Sequence, residues 1–83
     1  MGERFRCPCC GCLTLDEPFA SDICEVCYWE DDWQNDHNAD SVYGGPNGHL
    51  SLTQARANYR AFGACEESMI ENVRPPRPEE LPA

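Results

Sequence analysis

Apolar side chains recur at helical spacing most clearly in the second half of the chain. Intervals of three and four residues place them on one face of a helix, which would bury that face against the rest of the protein. The four positions are Leu52, Ala55, Tyr59 and Phe62. The pattern predicts an amphipathic helix that carries Arg56 and Arg60 on its solvent face.

The residues at either end of this segment carry capping signals. The Ser51 side chain can accept a backbone N–H of the first turn, and Gln54 stands three residues later, as in a capping box. Gly63 is the residue type that most often follows a helix. We therefore expect the helix to begin after Ser51 and to end near Gly63. A second, short helix is expected over residues 65–73, with three side chains turned inward: Met69, Ile70 and Val73.

Two short apolar runs in the first third of the chain predict β-strands. They are Leu13–Leu15 and Cys27–Trp29, and turn-forming residues such as Pro18 and Asp22 lie between them. A β-hairpin bracketed by two pairs of cysteines is expected. The predicted fold class is a small metal-stabilised α+β protein, in which a zinc-ribbon-like hairpin with two cysteine knuckles precedes the helices.

A chain of 83 residues makes one domain, and a domain of this size buries roughly 60% of the surface that its unfolded form exposes. We divide the single domain 1–83 into four parts. These are a zinc-binding hairpin (1–34), a loop rich in Gly, Asn and Asp (35–50), a helical part (51–73) and a Pro-rich tail (74–83). The loop is expected to be irregular with several positive-φ positions, and the tail to be extended or mobile.

Cysteine content and spacing predict a metal site that would stabilise so small a core. Seven cysteines, an odd number, follow an N-terminus without an apolar leader, which favours a reducing, cytoplasmic location over a disulfide-linked secreted protein. Two pairs have the two-residue spacing that presents both sulfurs to one ion. The predicted ligands of one zinc ion per chain are Cys7, Cys10, Cys24 and Cys27. Rubredoxin-like iron would use the same sulfurs and is the second choice of metal.

The first pair has an alternative register, because Cys9 and Cys12 are also two residues apart. Pro8 stiffens the start of the turn, and Gly11 can take the positive φ that turns backbone N–H groups toward a sulfur. These flanking residues favour the first register over the alternative one. Cys9, Cys12 and Cys65 would then be small buried side chains or free thiols.

Negative charge is concentrated in the cysteine-rich part. The net charge is −9, and no Lys or Arg lies between Cys7 and Ala55. This surface would repel a phosphate backbone, so we expect no nucleic acid to bind. The sequence contains no run of about 18 apolar residues, so we expect no membrane span. The charge predicts a protein partner with a basic surface. Nine carboxylates fall in the stretch: Asp16, Glu17, Asp22, Glu25, Glu30, Asp31, Asp32, Asp36 and Asp40.

An aromatic and acidic stretch within this region is the predicted partner-binding site. Aromatic anchors flanked by carboxylates suit an interface with a basic surface. The residues are Trp29, Glu30, Asp31, Asp32 and Trp33. The expected function is that of a non-catalytic protein-interaction module, one form of which is an immunity-type protein that neutralises a basic toxin.

No catalytic residue is predicted, so we do not expect an enzyme. His37 and His49 stand at no recognisable spacing from a nucleophile or a carboxylate. The alternative function is that of a thiol-redox or metal-handling protein, in which Cys9, Cys12 or Cys65 reacts or relays metal.

The chain resembles the bacterial CPCC cysteine-rich protein family, a group of small proteins with no established activity to transfer. The resemblance begins at the motif Cys7-Pro8-Cys9-Cys10 and covers nearly the whole chain. Glu25 departs from a common proline and Cys12 from a common aromatic residue, and neither is a predicted ligand. The resemblance implies a bacterial source and a zinc-ribbon-like N-terminal part. Further matching strings are Leu13–Leu15, Ile23–Cys27, Trp29–Asp32, Gly44–Gly48 and Val73–Pro76.

Overall fold

A two-stranded antiparallel hairpin carries the first pair of cysteines in its loop. The computed structural model describes residues 4–16 and 22–81. Strand β1 (Phe5–Arg6) pairs with strand β2 (Leu13–Leu15), with a register shift between the two residues of β1. The predicted strand β2 is confirmed, although its partner precedes it in the chain. The predicted turn at Pro18 lies outside the described residues.

The second predicted strand, Cys27–Trp29, is wrong. These residues follow a tight turn, and Tyr28 has a left-handed φ of 69°. A residue in that conformation reverses the chain and cannot continue an extended strand. An isolated antiparallel bridge between Ile23 and Glu30 closes this turn.

Helix α1 (Leu52–Phe62) has the predicted ends. The Ser51 side chain accepts the backbone N–H of Gln54 at 3.0 Å. Gly63 follows the last turn with φ 83°, a left-handed conformation that favours glycine. The Gln54 side chain donates to Asn58 rather than back to the cap.

The core lies between helix α1, strand β2 and the turn that contains Cys24 and Cys27, which we call the second cysteine turn. Leu52 and Ala55 on the predicted apolar face are fully buried, and Tyr59 packs against the core, but Phe62 remains 37% exposed. Arg56 is less exposed than predicted, because its Nε donates to the Pro8 carbonyl at 2.9 Å. The same buried cluster contains the large side chains of Leu15, Val26 and Trp29.

The loop over residues 35–50 is irregular, as predicted, apart from a 3₁₀ helix at Asp36–Asn38. Gln34 is buried and fixes the path of this loop. Its Nε2 donates to the Asn38 carbonyl at 3.0 Å and to the Ser41 carbonyl at 2.5 Å. The expected positive φ occurs at two glycines of the loop, Gly44 (75°) and Gly48 (60°).

A 3₁₀ helix at Glu67–Asn72 stands in place of the predicted second helix over residues 65–73. Met69 packs on the core and Val73 is half-buried, but Ile70 is 43% exposed, so its inward placement is wrong. Three residues per turn point Met69 and Ile70 in different directions. In the part of the chain that the structure describes, no helix has the length and apolar character needed to span a membrane.

The Pro-rich tail was predicted to be extended or mobile, and over its described part it is extended at Arg77 but docked against the fold. A 3₁₀ helix at Pro78–Glu80 packs against β2, and Glu80 is only 4% exposed. The Arg74 guanidinium donates to both carboxylate oxygens of Glu80 at 2.8 Å. The backbone N–H of Arg77 donates to the Glu80 Oε1 at 2.8 Å. These bonds lower the pKa of Glu80 to about 2. The Arg74 N–H also donates to the Glu25 carbonyl at 3.2 Å.

Glu80→Gln should lower the free energy of unfolding by about 1 to 3 kcal/mol. The carboxylate is ionised at neutral pH, and glutamine keeps its size but loses the charge that Arg74 binds with two hydrogen bonds. Urea unfolding at pH 7 with metal supplied measures the change. The exposed neighbour provides the control, since Glu79→Gln should change stability by less than about 0.5 kcal/mol. Equal effects of the two substitutions would contradict a role of this ion pair in docking the tail.

Candidate metal centre

A tight backbone turn presents the sulfurs of Cys7 and Cys10. The Cys7 carbonyl accepts the Gly11 N–H at 2.8 Å, and the Cys7 N–H donates to the Cys12 carbonyl at 2.8 Å. Gly11 has φ 79°, the positive value predicted from its place after Cys10. Glycine adopts this conformation without steric cost because it has no Cβ.

The second turn has the same backbone hydrogen bonds as the first. The Cys24 carbonyl accepts the Tyr28 N–H at 2.7 Å, and the Cys24 N–H donates to the Trp29 carbonyl at 3.0 Å. Tyr28 takes the position of the glycine, and left-handed φ costs a non-glycine residue about 1 to 2 kcal/mol. The two turns share only their cysteines in sequence, so the cysteine spacing predicted two knuckles but did not predict that Tyr28 would take the conformation of Gly11.

The two turns bring four sulfurs into one cluster. The Cys7 Sγ lies 3.5 Å from the Cys27 Sγ, and the Cys10 Sγ lies 3.6 Å from the Cys24 Sγ. All four sulfurs lie within 4.8 Å of one another. Sulfurs bound tetrahedrally to one zinc ion would be about 3.8 Å apart. The four cysteines predicted as ligands are therefore placed where they can hold one metal ion.

The sulfur cluster is largely closed to solvent. Cys7, Cys24 and Cys27 are at most 1% exposed, and Cys10 is partly exposed. The hydrogen bond with Cys10 holds the pKa of the Cys24 thiol far below its usual range, and the same bond raises the pKa of Cys10. Four thiolates in so small a volume need a cation to offset their charge. This chemistry suits a structural metal site with four protein ligands.

Thr14 on strand β2 supports the cluster and was not identified from the sequence. Its Oγ1 lies 2.9 Å from the Cys24 Sγ, and the side chain is buried. Once Cys24 is a thiolate, the hydroxyl is the donor of this hydrogen bond. Such a bond orients a ligand and stabilises its charge. No sequence signal pointed to Thr14, because its contact with Cys24 depends on how the chain folds the second turn against β2.

The three other cysteines stay outside the sulfur cluster. Cys9, Cys12 and Cys65 are buried, with 7%, 2% and 3% exposure. Burial raises the pKa of Cys65 to about 12, so its thiol is protonated at neutral pH. The Cys65 N–H donates to the Cys27 carbonyl at 2.8 Å, which ties the segment after helix α1 to the second turn.

The predicted partner-binding stretch is divided between the core and the surface. Trp29 is fully buried and therefore has a packing role, and Asp31 is only 4% exposed. Glu30 and Asp32 are partly exposed, while Trp33 is 59% exposed. The surface of this stretch is thus formed mainly by one aromatic ring and two carboxylates.

These features define a small α+β protein built around four cysteines that can bind a metal ion. A family model described as cysteine-rich CPCC matches residues 5–80, and the chain belongs to this cysteine-rich CPCC family. The match includes all four cysteines of the cluster. A search of curated proteins and a search of solved structures each gave no match.

Replacing any one cluster cysteine by serine should remove the bound metal and unfold the protein together. Metal binding contributes roughly 10 to 16 kcal/mol of apparent free energy, against a total domain stability of about 5 to 15 kcal/mol. Elemental analysis and circular dichroism measure the two losses. The substitutions are Cys7→Ser, Cys10→Ser, Cys24→Ser and Cys27→Ser.

The matched controls for these variants are the three buried cysteines outside the cluster. Serine at Cys9, Cys12 or Cys65 should keep the metal and cost about 1 to 3 kcal/mol through a buried hydroxyl. If serine at Cys9 and Cys12 abolished metal binding while serine at Cys7 and Cys10 did not, the alternative register would hold the ion.

Thr14→Val should weaken metal binding by about tenfold, because it removes the hydroxyl that donates to Cys24 but keeps the side-chain volume. Competition with a chromophoric chelator measures the affinity. Thr14→Ser should retain most of the affinity. Thr53→Val is the control, since the Thr53 hydroxyl donates to Asp40 at the surface. Unchanged affinity in Thr14→Val would contradict the role of this hydrogen bond.

Proposed function

We propose that this protein is a zinc-stabilised, non-catalytic module that binds a basic partner protein. The observation that carries the proposal is a cluster of four cysteine sulfurs inside a strongly acidic chain. Soft thiolates in tetrahedral arrangement favour zinc, and iron is the second choice. The proposed fold is zinc-ribbon-like, because two cysteine turns supply the ligands.

The metal has a stabilising role in this proposal. The described hairpin has strands of only two and three residues, and helix α1 has 11. Elements this short bury little apolar surface of their own. A zinc ion would fix the two cysteine turns relative to each other and thereby complete the core around Trp29.

The charge of the surface indicates the partner. Arg4, Arg56 and Arg74 are each engaged by a carboxylate within the chain. The net charge of −9 is the excess of 15 carboxylates over six arginines in the whole chain, and a zinc ion with four thiolates would add about two negative charges. Such a field attracts a basic protein and repels nucleic acid and anionic membranes. An immunity-type protein that neutralises a basic toxin is one form of this function.

The proposal assigns no catalysis and places the protein in the cytoplasm. His37 is exposed, and the His49 imidazole lies 3.4 Å from a Glu66 carboxylate at the surface. An exposed histidine paired in this way is an ordinary surface contact. We therefore name no general base or nucleophile.

The alternative, a thiol-redox or metal-handling protein, has less support. A reactive cysteine needs an accessible thiolate. Cys9, Cys12 and Cys65 are at most 7% exposed, and the Cys65 thiol is protonated at neutral pH. Thiols that react with a disulfide reagent faster than free cysteine in the metal-loaded protein would favour this alternative over ours.

The proposal is tested by metal analysis followed by a binding measurement. We expect about one zinc ion per purified chain, and absence of both zinc and iron would overturn the metal role. Proteins captured from the source organism are then purified and titrated with the metal-loaded chain by calorimetry. We expect a partner with a basic surface and an affinity that falls as salt rises. Failure to bind any basic protein, or micromolar binding to duplex DNA at physiological salt, would contradict the proposal.

A further inference from the structure

A groove of about 340 Å³ opens beside the surface part of the acidic stretch. Aromatic and apolar groups line it together with carboxylate-bearing residues. Its walls include Trp33, Tyr43, Pro46, Glu30, Asp31 and Asp32. We call this feature the aromatic groove. Its volume lies at the lower end of the range for small-ligand sites, which suits a single side chain.

Hydrogen bonds beside the groove join the two chain segments that line it. The Glu30 N–H donates to the Asn47 Oδ1 at 3.1 Å, and the Asn47 Nδ2 donates to the Glu30 carbonyl at 2.7 Å. This reciprocal pair ties the glycine-rich loop to the acidic stretch. The Tyr43 hydroxyl accepts a hydrogen bond from Asn38. The groove is therefore formed before any partner arrives, which lowers the entropy cost of binding.

Two aromatic side chains of the groove are exposed. Trp33 is 59% exposed and Tyr43 is 48% exposed. Trp33 also has a left-handed φ of 70°, an uncommon conformation for a bulky residue. The backbone N–H of Trp33 donates to the Asp31 Oδ1 at 3.2 Å, and this hydrogen bond helps to hold the left-handed conformation. A strained backbone that keeps a large ring at the surface points to a use in binding.

The charge of the groove selects the ligand. Among the described residues, none that lines the groove is basic, and Glu30 and Asp32 are in no ion pair. A cation is attracted both by the faces of aromatic rings and by carboxylates. A guanidinium fits this combination best, because it is planar, stacks on a ring and donates in a fork to a carboxylate.

We propose that the aromatic groove binds one arginine side chain of the basic partner, stacked on Trp33 and Tyr43 and hydrogen-bonded to the carboxylates of Glu30 and Asp32. This inference rests on the proposed function, whose partner it describes at the level of one side chain. Arginine is favoured over lysine at this site, since an ammonium group neither stacks nor donates in a planar fork.

The test is a titration of the zinc-loaded full chain with N-acetylargininamide, followed by amide and indole NMR. The matched probes are N-acetyllysinamide and the neutral citrulline analogue, which has nearly the shape of arginine without its charge. We expect shifts centred on Trp33, Tyr43 and Gly45, with the arginine probe bound at least threefold more tightly than the lysine probe. Equal binding of arginine and citrulline, or shifts centred elsewhere, would overturn the inference.

Substitutions locate the site. Trp33→Gly should weaken binding of the arginine probe by about fivefold or more, and glycine accepts the left-handed φ, so the fold should persist. Trp33→Phe keeps a stacking ring and should bind nearly as the original chain does. Glu30→Gln with Asp32→Asn should weaken binding by a similar factor. Phe62→Ala and Glu67→Gln, at exposed positions away from the groove, are the controls and should have no effect.

The same variants separate this inference from the proposed function. If the purified basic partner binds the Trp33→Gly variant as tightly as the original chain, the groove proposal fails while the interaction function stands. If the groove binds the arginine probe but the protein binds no basic partner, the proposed function fails and only the arginine site remains. Loss of both interactions in Trp33→Gly, with full binding in the two control variants, supports both proposals.

Discussion

Four sulfurs within 4.8 Å of one another are the constraint on which the rest of the structure depends. Four thiolates at this distance would repel one another in a buried volume, so all four can be ionised together only if a cation offsets their charge. The second of the two turns that carry them holds Tyr28 in an unfavourable left-handed conformation, whereas the first has Gly11 at that position. Trp29 follows directly and is fully buried, so the core is anchored to the same turn.

The acidic surface and the metal site are linked by their place in the chain. The second cysteine turn ends at Trp29, and the carboxylates of Glu30 and Asp32 follow at the surface. A metal that fixes this turn also fixes the direction in which Trp33 projects. Structural metal binding and partner recognition can thus be properties of one continuous segment, without a separate binding domain.

Local signals made part of this structure predictable from the sequence. The ends of helix α1 were predicted because Ser51 and Gly63 act within one turn of the backbone, and the choice of register followed from Gly11. The reversal at Tyr28 was missed because an aromatic residue opposes the left-handed conformation that the turn requires. The docked tail was missed because the partners of Glu80 are set by the folded chain, and proline content alone carries no information about them.

The peptide carbonyls of the two cysteine turns are acceptors for distant parts of the chain. The accepting residues are Pro8, Glu25 and Cys27, and the respective donors are Arg56, Arg74 and Cys65. The helix, the segment after it and the tail are each attached directly to a turn that carries sulfur ligands. None of them can detach without leaving an acceptor unpaired beside the cluster. These attachments favour opening of the described parts as one cooperative unit, and a metal bound at the cluster would protect the C-terminal half from local unfolding although that half supplies none of the four sulfurs.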